Sequence, residues 1–142
     1  MDYSHQTDSN IDWQELFSNI SNPKQIKTLQ LDSNALLTLP DSLEQFHSLI
    51  TLDLSNNQLV QLPSVLSSLM NLKELLLKNN SLDDRALSKD FERLKHLEIV
   101  NLTGNCFKQF PSSLFRMSTL KEIYLGSNRI SYLPDFFHHL TK

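Results

Sequence analysis

Asparagine returns at one register through most of this chain: Asn34, Asn57, Asn80, Asn105 and Asn128. The steps are 23 residues, except for 25 between Asn80 and Asn105. Each asparagine is the ninth residue of a unit that opens at Ile26, Leu49, Leu72, Leu97 or Leu120. A fixed period of this length marks a stack of small units, none of which can bury its own apolar face alone. That excludes most folds before any local feature is considered.

Within a unit the hydrophobic period changes. In "LEIVNLTGNCFKQFP", residues 97 to 111, positions four and six are Val100 and Leu102, with outward residues between and beside them. This alternation predicts a short strand with one buried face. The chain then turns at the asparagine. An interior turn strands backbone N–H and C=O groups away from water, and an asparagine amide offers two donors and an acceptor to meet them. The five asparagines are therefore expected to form an internal ladder from unit to unit. Apolar residues follow at positions eleven and fourteen, such as Leu59 and Leu62, and proline at fifteen in four units: Pro40, Pro63, Pro111 and Pro134. Leu66 with Leu69, and Leu114 with Met117, are spaced by three, which suits a short helical or 3-10 return to the next strand.

The resulting pattern, L-x-x-L-x-L-x-x-N-x-L-x-x-L-P, resembles the leucine-rich repeat family in its 23-residue intracellular form, over residues 26 to 140. The resemblance implies an α/β solenoid, with a curved parallel sheet on the concave face and short helical or 3-10 returns on the convex face. It also implies scaffold or adaptor work, including recruitment of substrates to a ubiquitin ligase.

Composition removes several alternatives. The 142 residues carry a formal charge of −3, which gives no electrostatic reason to expect nucleic acid as a partner. Only Gly104 and Gly126 are glycines, so a glycine-rich phosphate loop cannot be written and no nucleotide cofactor is expected. Cys106 is the single cysteine, which rules out an internal disulfide and multi-cysteine zinc sites. "MDYSHQTDSN" lacks a signal-peptide core, and no apolar run is long enough to cross a bilayer. The expected location is the cytoplasm, with the nucleus open.

Residues 1–9 are expected to be a disordered tail. In 10–25, Trp13, Leu16, Phe17 and Ile20 recur at helical spacing. They predict a helix capped at Ser9 or Asn10 that closes the open core of the first repeat. A membrane- or partner-binding helix is the alternative. Residues 26–142 divide into five repeats: 26–48, 49–71, 72–96, 97–119 and 120–142. No C-terminal cap is visible, so Leu120, Ile123, Leu125, Ile130, Leu133, Phe137 and Leu140 are expected to remain uncovered and to favour self-association. The third repeat replaces the Leu-Pro step with "LDDRALSKDFERLKHL". It predicts a true helix capped at Asp83 or Asp84, with Leu87, Phe91 and Leu94 inward.

Chemistry is hard to assemble. His138 and His139 point in divergent directions on any regular element, so no metal site is expected. Cys106 follows a ladder asparagine and reads as a mostly buried filler, with no base or oxyanion site beside it. No catalytic residue and no enzyme activity are expected. Recognition remains. Positions three, five and seven of each strand should face the concave side. There Leu76, Ile99 and Tyr124 form an apolar centre beside Glu74, Lys78 and Glu122, an arrangement suited to binding another protein of unspecified identity. A rival expectation is that the chain supports a C-terminal effector segment absent from it.

Overall fold

Five strands lie parallel and in chain order: β1 (Thr28–Gln30), β2 (Thr51–Asp53), β3 (Glu74–Leu76), β4 (Ile99–Asn101) and β5 (Glu122–Tyr124). This computed structural model describes residues 1–6 and 11–132. The register sets Leu29, Leu52, Leu75, Val100 and Ile123 in one row across the sheet. The first four are fully buried, as are Leu31, Leu54, Leu77 and Leu102 two residues later. Consecutive strand residues point to opposite faces, so this spacing seals one face and frees the other.

Five-residue 3-10 segments return the chain: Asp41–Gln45, Ser64–Ser68, Lys89–Arg93 and Ser112–Arg116. Pro40, Pro63 and Pro111 precede three of them with φ of −72°, −70° and −62°. The pyrrolidine ring fixes that angle and donates no hydrogen bond where none is required. Leu43, Leu66, Phe91 and Leu114 turn inward from these segments. The core lies between them and the sheet, giving an α/β solenoid with strands on one side and 3-10 returns on the other.

The asparagines join one unit to the next. Asn57 Nδ2 donates to the carbonyls of Leu31 (2.9 Å) and Leu54 (3.0 Å), and its Oδ1 accepts from the Leu36 N–H (3.0 Å). Asn80 does the same with Leu54, Leu77 and Leu59. Asn105 does so with Leu77, Leu102 and Leu82, and Asn128 with Leu102, Leu125 and Phe107. Each position-six carbonyl between Leu31 and Leu102 therefore accepts from two asparagines, one in its own unit and one in the next. A second ladder lies beside it, in which the N–H groups of Gln58, Ser81, Cys106 and Arg129 donate to Leu36, Leu59, Leu82 and Phe107.

The residue before each asparagine is left-handed: Ser33 (φ 58°), Asn56 (56°), Asn79 (54°), Gly104 (71°) and Ser127 (53°). Gly104 has a further constraint, since a Cβ there would lie 2.2 Å from Asn79 Oδ1.

Two local expectations are corrected. Residues 1–6 are not a disordered tail. Asp2 bridges Gln30 in parallel, Tyr3 N–H donates to the Gln30 carbonyl (2.8 Å), and His5 N–H donates to that of Asp32 (3.1 Å). Asn34 Nδ2 donates to the Tyr3 carbonyl, and its Oδ1 accepts from the Gln6 N–H. The backbone contacts and the Nδ2 contact are those that later units make with their predecessors, whereas the Oδ1 partner is at position nine instead of eleven, and His5 has the left-handed φ of 54° found at position eight. Residues 1–6 thus form half a repeat, positions four to nine, that covers the edge of β1. The physical reason is the open edge itself, whose N–H and C=O groups need partners. Residues 7–9 of the expected tail lie outside the described residues.

The second correction is the helix of the third repeat. Its return is a 3-10 segment, Lys89–Arg93, like its neighbours. Asp83 does not cap it; its carboxylate accepts from the Arg85 N–H and pairs with the Arg85 side chain. Asp84 instead accepts from the N–H groups of Lys108 and Gln109 in the next unit. Strand spacing of about 4.8 Å keeps neighbouring returns close, and the narrower 3-10 form suits that spacing. Phe91 and Leu94 are buried and Leu87 is half-buried.

The N-terminal helix α1 spans Trp13–Ser18 and is capped by Asp12, whose carboxylate accepts from the Glu15 N–H (2.9 Å), rather than by Ser9 or Asn10. Phe17 is fully buried and meets Phe46 edge-on at 5.4 Å, while Tyr3 and Trp13 pack beside it. Among the described residues no helix is long and apolar enough to cross a membrane.

Candidate protein-binding face

The free face of the sheet is built from two strand positions and one flanking position in each unit. The strand register aligns Thr28, Thr51, Glu74, Ile99 and Glu122 in one row, and Gln30, Asp53, Leu76, Asn101 and Tyr124 in a second. The backbone ladder continues past the strands, with Ser33 N–H donating to Ser55 and Asn79 N–H to Thr103. It therefore carries Asp32, Ser55, Lys78, Thr103 and Gly126 as a third row. The half-repeat adds Asp2 and Ser4 at the edge, in the rows of Gln30 and Asp32.

The sequence-derived patch falls together at one end of this face. Leu76 lies between Asp53 and Asn101 in its row, and Ile99 between Glu74 and Glu122. These two are half-buried by their neighbours, less open than strand alternation alone suggested. Tyr124 is 47% exposed. Its hydroxyl donates to the Glu122 carboxylate, and that contact raises the phenol above its ordinary range. Glu74 accepts from Thr51 Oγ1 at 3.3 Å, and Lys78 is exposed.

Asx contacts brace the face. Asp2 accepts from the Ser4 N–H, Asp53 from the Ser55 N–H, and Asn101 from the Thr103 N–H, all at the same pair of positions. From sequence, Asp53, Ser55, Asn101 and Thr103 are expected only to point outward, and Asp2 and Ser4 only to belong to a tail. The repeated D-x-S and N-x-T spacing was the available signal.

A flanking ion-pair row lies at position two. Glu98 bridges Lys121 (2.6 Å) and Lys73 (3.3 Å), and these contacts, Lys121 first, hold its carboxyl below the usual carboxylate range. Cys106 is partly buried, with its N–H bonded to the Leu82 carbonyl. Among the described residues no group of three or more His, Cys, Asp or Glu side chains is placed to hold a metal. His138 and His139 lie outside the described residues, as do Leu133, Phe137 and Leu140 of the expected open end.

Comparison with known proteins gives a consistent result. Family models described as leucine rich repeat match residues 24–82 and 119–140. Among solved structures, a leucine-rich repeat protein of Leptospira interrogans is 28% identical, with a TM-score of 0.68 over 78% of this chain and 34% of the other. An internalin of Listeria monocytogenes shares the fold at 20% identity, with a TM-score of 0.65 over 77% of this chain and 31% of the other. The chain thus spans about a third of each of those chains. No match was found among curated proteins.

Proposed function

From the premise that the chain belongs to the leucine-rich repeat family, whose domains generally serve protein–protein interaction, we propose that it is a non-enzymatic scaffold or adaptor binding a partner protein on its concave face. The observation that carries this reading is the register. It sets Leu76, Ile99 and Tyr124 on the free side of a sheet whose other side is sealed. Glu74, Lys78 and Glu122 supply a polar rim to this partly accessible apolar centre, which is how binding hot spots are arranged. The sulfhydryl of Cys106 has no catalytic part in this reading.

We infer a closer kinship with leucine-rich repeat-containing protein 58 from "IDWQEL", the interrupted "LLLKNNSL" unit, "VNLTGNCF" and "YLGSNRISYLP". The adaptor role, including recruitment to a ubiquitin ligase, draws on that likeness. The test is affinity purification with mass spectrometry, comparing wild type with a Leu76→Ala, Tyr124→Ala double variant of equal thermal stability. Loss of one or more captured proteins is expected. An unchanged set sinks the reading.

A second reading takes these repeats as a structural part of a longer protein whose activity resides in a further segment. The chain's span of about a third of the solved repeat proteins favours it. A transcript that ends at the codon for Lys142 would remove it.

A further inference from the structure

Charge is unevenly placed on this solenoid. The free face carries five carboxylates, Asp2, Asp32, Asp53, Glu74 and Glu122, against one lysine, Lys78. Its net charge is −4, while the whole chain has a formal −3, so the remainder is +1. Of the position-two lysines bordering the face, Lys73 and Lys121 are engaged by Glu98, which leaves Lys27 beside the first strand as the one not held in an ion pair among the described residues. Among the described residues none of the five carboxylates pairs with a lysine or arginine; Asp32 has only His5, at 3.8 Å.

Their arrangement is directional. Asp32, Asp53 and Glu74 sit at positions seven, five and three of successive units, so they form a diagonal across the first three strands. One strand across and two residues along separates neighbours by roughly 8 Å. The next diagonal is Ser55, Leu76 and Ile99, so the acidic line runs directly beside the apolar one.

Resting on the reading of this face as the protein-binding surface, we propose that its partner is a lysine- or arginine-rich segment with an aliphatic or aromatic residue next to its basic residues. The basic residues lie along Asp32, Asp53 and Glu74, and the apolar residue seats on Leu76 and Ile99 towards Tyr124. Alternate side chains of an extended segment repeat at about 6.7 Å on one face, which suits the spacing of the acidic line. Complementary charge of this kind sets orientation and speeds encounter. The same field repels nucleic acid phosphates.

The test is selection of a random dodecapeptide library, displayed on phage, against the purified full chain. Selected peptides are then measured against three proteins: wild type, Asp53→Asn with Glu74→Gln, and Leu76→Ala with Tyr124→Ala. The amides keep the contacts to Ser55 and Thr51 and remove the charge. Peptides enriched in lysine and arginine beside an apolar residue are expected. Their affinity should fall roughly tenfold with the neutralised pair and should weaken between low and physiological salt. Peptides without basic enrichment that still require Leu76 and Tyr124 overturn the basic partner and leave the binding face standing. Peptides indifferent to all four substitutions, or failure to select any, overturn both.

Discussion

A single asparagine in this protein does the work of a small turn-linker on two units at once. Asn57 satisfies two carbonyls and an amide, and it is only 8% exposed. Replacing it with leucine adds apolar surface but leaves these groups without partners. Asn57→Leu is expected to cost about 2–4 kcal/mol, since each buried group left unpaired carries a desolvation penalty. Chemical denaturation checks this, and an equally stable variant would remove the asparagine from its structural role. Gly104 gives a second case. Gly104→Ala meets both the left-handed φ of 71° and the collision with Asn79 Oδ1, and should lose more than the roughly 1–2 kcal/mol attached to the conformation alone. Adding Asn79→Ala should recover the excess and no more. The ninth-position asparagines were legible from sequence because only one residue type serves there. The eighth position was not, because serine, asparagine and glycine share the task and hide the pattern. The outward direction of Leu76 and Ile99 was legible as well. Their partial cover by side chains of adjacent strands was not, because it depends on neighbours more than twenty residues away.

At the scale of elements, the half-repeat at residues 1–6 escaped notice for a similar reason. Met1 and Tyr3 alone carry the apolar alternation there, and Gln6 stands where the asparagine would be. What orders the segment is the open edge of β1, a tertiary demand with little trace in local composition. Tyr3→Pro deletes the N–H bonded to Gln30 and the ring packed on Trp13. Amide exchange at Gln30, whose N–H donates to Met1, should then accelerate well above wild type, and unchanged protection would dissociate the segment from β1. The expected helix of the third repeat failed on the other side of the solenoid. Leu87, Phe91 and Leu94 fit a helical stripe, yet neighbouring returns impose their own form. The Glu98 bridge also spans elements, tying the third, fourth and fifth units. A carboxyl depressed in the folded protein stabilises it above the unfolded pKa of about 4.3, and that contribution is lost as pH falls through the folded value. Thermal melts from neutral pH to pH 3 should therefore show a shallower acid-side decline for Glu98→Gln than for wild type. Parallel curves would leave the bridge without a stabilising role.

For the whole molecule, burial changes along the stack. Position-four and position-six residues are fully buried through the fourth unit, whereas Leu120, Ile123, Leu125 and Ile130 of the fifth are half-buried. Stacked units are stabilised mainly by their neighbours, so the fifth should be the least protected. Hydrogen exchange is expected to be faster at Ile123 and Leu125 than at Leu52, Leu75 or Val100, or to slow there as concentration rises and copies associate. Slow exchange at every concentration in a strict monomer would contradict both outcomes.

The contacts between units also determine how such a chain can change its length. The asparagine ladder and the backbone ladder beside it use positions six to eleven of each junction, and they recur in matched sets. Whole units can be copied or removed as interchangeable links, and every junction then meets its proper counterpart. The two additional residues of the third unit obey the same grammar, because they enter after Leu82, beyond the last atom that these two ladders use. An insertion of the same size between Leu77 and Leu82 would instead displace Asn80 or Leu82 from its partners in the neighbouring units. Growth by duplication is therefore open to this chain, with spare loop length permitted only on the outer arc.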